Sequence, residues 1–495
     1  MKGLQDLNIP YQKVSTTKKH SLLFFILFPA ITMLLGWGLR GFIGGGTYGA
    51  MIPGAMVMMV ICMLLDIPLK FAAVAIVFGT VGIAMGGEMT YGQTLGFLRN
   101  SDTIWWGLAG TSLKGGVWGL TGGLFIALGL LYPRIKTKTI LTGFLIFLIG
   151  FVIGLKLIND PKVLYFSDPF NHPRSESWAG ILLAAIGFLI FLKIKIAAEE
   201  FKVVKTFTLY GLLGGILGFG LGSLWITVGA LYGVEFLIVD WWKIMEFSFG
   251  FILGGSLGFA AWRYHNSSQS FYREKTTKLN TTKTGTTFSL ELISILIIGL
   301  FVYATMSLVE VYLDIISNYK GIFFESLTTI GKVFVSYMFI GLLLITITLY
   351  WPFLAFQIAV TLTFCNCVID LVDDKNLFPA LQSLPLFYFG IIVVASLIVA
   401  AVVAVFQRKR FALRSMLLIL VWSTMTIAVI RLFASGAFNF KEDHSAIQII
   451  IGDLFVFNVF IISAIIVSVM VIKNKIFKAR IHVEPFVTDN LRLPS

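Results

Sequence analysis

The sequence predicts an all-α polytopic integral membrane protein, and three observations carry that prediction: composition, the length of the apolar runs, and the placement of basic residues. Of 495 residues 57% are hydrophobic and only 13% charged, and the mean hydropathy is +0.90. Soluble proteins hold about 45–50% apolar and about 25% charged residues. One soluble core cannot hide that surplus. A soluble enzyme, a secreted disulfide scaffold, a disordered chain and a nucleic-acid-binding domain are excluded on this ground.

A spanning helix needs about 20 apolar residues, because hydrocarbon offers the backbone no hydrogen-bond partners. About fourteen such runs are present, at roughly 22–40, 48–65, 69–87, 103–131, 138–157, 178–193, 206–229, 239–262, 288–312, 330–350, 352–371, 384–406, 411–433 and 447–472. They are continuous stretches, not the alternating decamers of a β-barrel. With the N-terminus placed in the cytoplasm, 26 of the 38 Lys and Arg fall in inside segments and seven in outside segments. That asymmetry is the positive-inside rule. It predicts both termini in the cytoplasm, in a bacterial cytoplasmic (inner) membrane, and explains the net charge of +13 as orientation without invoking nucleic acid.

Residues 1–21 read as a cytoplasmic segment. Lys18, Lys19 and His20 precede the first apolar run, but no small-residue cleavage site follows, so this is read as an uncleaved helix. Residues 22–262 form a glycine-rich module of about eight helices; 40 of the 48 glycines lie in residues 1–262. The polar stretch 263–287 is a cytoplasmic linker, 288–472 a second module of about six helices, and 473–495 a cytoplasmic tail.

Glycines recur at every fourth position: Gly41, Gly45 and Gly49; Gly115, Gly119 and Gly123; Gly214, Gly218 and Gly222; Gly250, Gly254 and Gly258. Helices in lipid associate where small residues let backbones approach. Tight packing alone accounts for such rows; the alternative is that the seams slide or open a cavity lined by backbone, and the cluster Gly44–Gly46 next to Arg40 is denser than packing requires. An internal repeat is indicated by Leu35-Gly-Trp-Gly-Leu39 against Leu217-Gly-Phe-Gly-Leu221, and by Trp105-Trp106 against Trp241-Trp242. Both matches keep their orientation, as parallel repeats in transporters do. The tryptophan pairs themselves are placed at the outer interface, where a headgroup belt is the default.

Ionisable groups inside a bilayer are costly and are by default functional candidates. In the first module Arg40, Glu88, Lys114 and Glu246 all fall toward the outer half of the membrane, with Tyr91 and Gln93 in the same string as Glu88. The outside loop 156–177 adds Asp168, His172, Arg174 and Glu176, on a path restricted by Pro161, Pro169 and Pro173. These ten residues are the expected substrate-binding set. A solvated loop and a structural ion-pair set are the alternative readings of the same residues. In the second module Glu310, Arg431 and Asp453 are the deepest ionisable residues and the expected ion-coupling set, with an acid available to pair with Arg431.

Cys62, Cys365 and Cys367 sit in apolar runs without zinc-site spacing and are expected to be core residues. No phosphate-binding P-loop, His-Glu-x-x-His or Gly-x-Ser-x-Gly motif is present, nor a potassium-filter string. No cofactor and no metal are expected. The reading that uses most of these features is a secondary carrier or flippase for a small polar substrate, anionic or lipid-linked. Alternatives are a membrane-embedded transferase acting on a lipid-linked substrate at the extracytoplasmic face, for which Asp168 and His172 argue, and a non-catalytic subunit of a membrane complex. Expected partners are the lipid bilayer, the substrate and a membrane protein or second copy of the chain, and no nucleic acid.

Overall fold

The computed structural model describes residues 21–233, 239–267, 287–317, 319, 321–409, 411–440 and 444–473. The described residues are helical with no strands, and among them thirteen helices are long and apolar enough to cross a membrane. The chain is an all-α multi-pass membrane protein. In order the helices are α1 Leu22–Ile43, α2 Gly46–Leu64, α3 Leu69–Glu88, α4 Ile104–Leu131, α5 Thr137–Asn159, α6 Trp178–Lys195, α7 Ala198–Leu231 and α8 Trp241–Ser267. They continue as α9 Phe288–Ser317, α10 Ile322–Val335, α11 Tyr337–Tyr350, α12 Pro352–Val372, α13 Pro385–Phe406, α14 Ala412–Ala434 and α15 Phe455–Lys473.

Three of the glycine rows do one job. Gly115, Gly119 and Gly123 of α4 lie against the backbone of α7 at Gly215, Gly211 and Phe207. Gly214, Gly218 and Gly222 place α7 against α8. Gly250, Gly254 and Gly258 then seat α8 on the α1 carbonyls of Met33, Pro29 and Phe25. A Cβ at the α4 and α8 positions would run into a neighbouring backbone, and one at Gly214 into the Ser256 side chain, so the order α4–α7–α8–α1 is built from absent side chains. The fourth row is different. Helix α1 ends at Ile43 and α2 starts at Gly46, so Gly41, Gly45 and Gly49 share no helix.

The central helix is α2: every residue from Met51 to Leu64 is buried, so it presents nothing to lipid. Around it, α1 touches α15, α2 touches α14, and α3 touches α11. These contacts join the glycine-rich helices to the later ones.

The run 330–350 differs from the single span expected of it. It breaks at Ser336, whose backbone is extended (φ −60°, ψ 143°), leaving two 14-residue helices. Alone, α11 rises about 21 Å, short of a hydrocarbon core of about 30 Å. Its N-terminal amide finds a partner outside the helix: Tyr337 N–H donates to Glu88 Oε1. Before it, α10 carries Phe323, Ile330 and Phe334 exposed, as a helix lying along the membrane interface would.

Candidate functional site

The last turn of α3 and the segment that follows it organise one end of the bundle. Gly86 and Gly87 let the chain pass closely beneath Trp118 and the Gly46–Thr47 backbone. From there the chain continues through short helical turns at Gly92–Gly96 and Phe97–Arg99. Successive side chains on this segment reach different neighbours. Glu88 reaches α11, Tyr91 reaches Arg40 on α1, Gln93 reaches the 160–177 loop, and Thr94 reaches Lys114 on α4.

Arg40 is 3% exposed and lies in an aromatic cage. Its guanidinium carbon is 5.8 Å from the Trp37 ring centroid and 5.3 Å from those of Tyr91 and Trp118. It donates to the Tyr91 hydroxyl and, at 3.3 Å, to the Gly46 carbonyl. Its Nε is buried without a partner. Among the described residues no carboxylate pairs with it. A Cβ at Gly45 or Gly46 would meet nothing within 4 Å, so the break between α1 and α2 faces open space beside this cation.

Lys114 is equally buried but fully occupied. Its ammonium donates to Thr90 O at 2.7 Å, Thr94 Oγ1 at 2.8 Å and Glu176 Oε1 at 2.8 Å, which uses all three of its donors. Glu176 in turn accepts from Ser167 Oγ, the Phe166 amide and Trp178 Nε1. This pair pins the loop to α4.

The rest of the loop is held by its backbone. Gln93 donates to His172 O at 2.8 Å and accepts from Asp168 N at 3.1 Å. Tyr165 Oη accepts from Arg174 N and donates to Arg174 O. The Asp168 carboxylate is consumed by its own turn, accepting from Phe170 N, Asn171 N and Asn171 Nδ2. The Phe170 N–H, then Asn171, hold its carboxyl below the usual carboxylate range, with a smaller contribution from His172. His172 and Arg174 are exposed.

Glu246 sits one helix away from Arg40. Its carboxylate fills the space a side chain at Gly41 would need. It accepts from Lys243 Nζ at 2.6 Å and from Trp242 Nε1 at 3.0 Å. Trp242 therefore turns inward, its ring stacked 6.3 Å from Tyr91, whereas Trp105 is 79% exposed.

Of the expected coupling residues, Arg431 at the end of α14 pairs with both Asp370 and Asp374, each at 2.8 Å. It meets the first site through Phe42, whose ring has the Lys243 ammonium at 5.6 Å and the Arg431 guanidinium carbon at 5.9 Å. Asp453 precedes α15 and bonds His444 Nδ1 at 2.8 Å. Glu310 falls on α9, but its side chain lies outside the described residues.

Sequence reading did not single out a second buried network. Glu291, 0% exposed, accepts from Gln357 Nε2 at 2.6 Å and pairs with Arg408 at 2.7 Å. Gln357 also donates to Ala400 O and accepts from Thr361, within a π-helical turn of α12. The signal available was Gln357 alone inside an apolar run and Glu291 just inside another, but 66 residues separate them. The buried hydroxyls of Tyr48 and Tyr337, both without partners, were likewise missed.

No protein-family model, curated protein or solved structure matches this chain.

Proposed function

We propose that this protein is a secondary carrier, or flippase, for a small substrate bearing an anionic group, which Arg40 binds at the break between α1 and α2. The observation that carries the reading is the uncompensated guanidinium. An unpaired buried charge costs several kcal/mol, and cation–π contacts return about 2 kcal/mol when desolvated. A visiting anion would supply the missing counter-charge and use the free Nε. The N-terminal end of α2 at Gly46 points the same way, since it carries partial positive charge and unsatisfied amides. Interrupted helices at Gly44–Gly45 and Ser336 favour a carrier, because transporters build central sites from broken helices. The transferase alternative finds less support, since Asp168 is committed to its turn.

The test is uptake into proteoliposomes with labelled mono- and dicarboxylates, phosphate esters and a fluorescent phospholipid. Arg40→Gln should lower transport of whatever the wild type moves by roughly 10- to 100-fold, the scale of a lost charged hydrogen bond. Arg40→Lys should not rescue it, because an ammonium cannot span Tyr91 and Gly46 while lying flat on the rings. Equal transport by correctly inserted wild-type and Arg40→Gln protein, or no wild-type transport of any compound in the panel, would refute the reading.

A further inference from the structure

We propose that Glu88 is the protonation site that couples this carrier to a proton gradient: ionised, it grips the half-helix α11 through the Tyr337 amide, and protonated, it lets go. Its role in transport rests on the carrier reading; the switch itself does not.

The geometry is that of a carboxylate closing a helix start inside the protein. Tyr337 N–H donates to Glu88 Oε1, while the next bonds of α11, from Phe339 and Ile340, run back to Ser336 O within the helix. The Tyr337 amide thus depends on Glu88. A negative charge there is doubly favoured, by the charge-assisted hydrogen bond and by the helix dipole. A proton arriving on the carboxylate removes the charge from both contributions at once, leaving only the weaker bond of a neutral acceptor. Glu88 is only part-buried, so a proton can reach it.

The titratable groups facing it are the hydroxyls of Tyr48 and Tyr337, both buried without partners, with their rings edge-on at 5.1 Å. The two cations tied to the same segment are engaged elsewhere: Lys114 with Glu176, and Arg40 with Tyr91. No ion pair among the described residues holds Glu88 in its charged form.

The anion site and the proton site share four residues of backbone. In Gly46–Gly49, the Gly46 carbonyl accepts from Arg40, Gly46 and Thr47 pack on Gly87 beside Glu88, and Tyr48 packs on Tyr337. An anion drawn to Arg40 and a proton taken up by Glu88 therefore act on one short segment, which is a physical route for coupling the two.

The test is hydrogen exchange of the α11 N-terminal peptide, on the full chain in nanodiscs, corrected for the intrinsic effect of pH. Wild-type protection at Tyr337 should fall roughly tenfold or more between about pH 8 and about pH 5, the scale of losing a hydrogen bond to a charged acceptor. Glu88→Gln, which keeps an acceptor but cannot ionise, should show no such change, and Glu88→Asp should retain it. Protection that is flat with pH in the wild type, or that falls equally in Glu88→Gln, would overturn the switch. The wild-type result stands even if neither variant folds. The switch with normal transport by Arg40→Gln would mean that Arg40 is not the substrate site; the converse result would spare that site and remove the coupling.

Discussion

Arg40 and Lys114 show two ways of burying a cation. Lys114 is 1% exposed with three acceptors for three N–H groups, one of them a carboxylate. Arg40 has rings, a phenol and a carbonyl, and its Nε has no partner. The first arrangement is a fastener; the second leaves a guanidinium with no counter-charge among the described residues. Removing one partner of a buried ion pair leaves the other unpaired, at about 3–5 kcal/mol. Lys114→Met or Glu176→Gln should therefore lower the thermal unfolding temperature of the purified protein substantially. The double variant should lose less than the two single losses added together, and additive losses would show that the pair does not act as a unit. Sequence alone marked both cations as costly, since charge in an apolar run is visible there. Which of them is paired was not visible, because Glu176 lies 62 residues from Lys114 and the rings around Arg40 come from three separate segments.

At the scale of elements, spacing in the sequence carried the glycine rows, because four residues is close to one helical turn. Three of the rows do seat helix on helix, and the fourth is interrupted where α1 ends. The contrast is testable. Gly119→Val would drive a side chain into the Gly211 carbonyl, and overpacking a tight core costs about 1–3 kcal/mol or more. It should sharply reduce the yield of monodisperse protein on size exclusion. Gly45→Ala, which meets open space, should leave the yield unchanged. Equal yields would mean that the α4–α7 contact is not what holds these helices. The break at Ser336 was not legible in the same way. The surrounding string is apolar enough to read as one span, and what ends α10 and starts α11 is an acceptor 249 residues earlier in the chain.

For the molecule as a whole, the two short sequence matches relate α1 to α7 and α4 to α8. Exchanging those partners maps the α1–α8 pair onto the α7–α4 pair, and both pairs exist. Trp37 and Phe219, equivalent in the matched strings, pack on the same Phe249 ring. On this ground we propose an internal repeat within a glycine-rich unit, with the later helices in contact through α1, α2 and α3. On that proposal a chain cut between residues 267 and 287 and expressed as two polypeptides should assemble and co-purify, because helix pairs in lipid associate by surface fit after insertion. Failure of the halves to associate would argue for a single unit that needs its covalent link.

What the sequence by itself determined was the solvent and the repertoire: apolar runs this long and continuous must be helical within a bilayer, since the only other backbone that satisfies its own hydrogen bonds there, a closed barrel, needs alternating strands. It also determined which residues would be expensive to bury. Only the tertiary structure decided how each expense was met. It gave Lys114 its counter-charge and left Arg40 without one among the described residues, spent Asp168 on its own turn, and set Glu88 against a helix start. Each of those outcomes depends on a partner brought in from a distant part of the chain, and one sequence carries no local signal of that meeting.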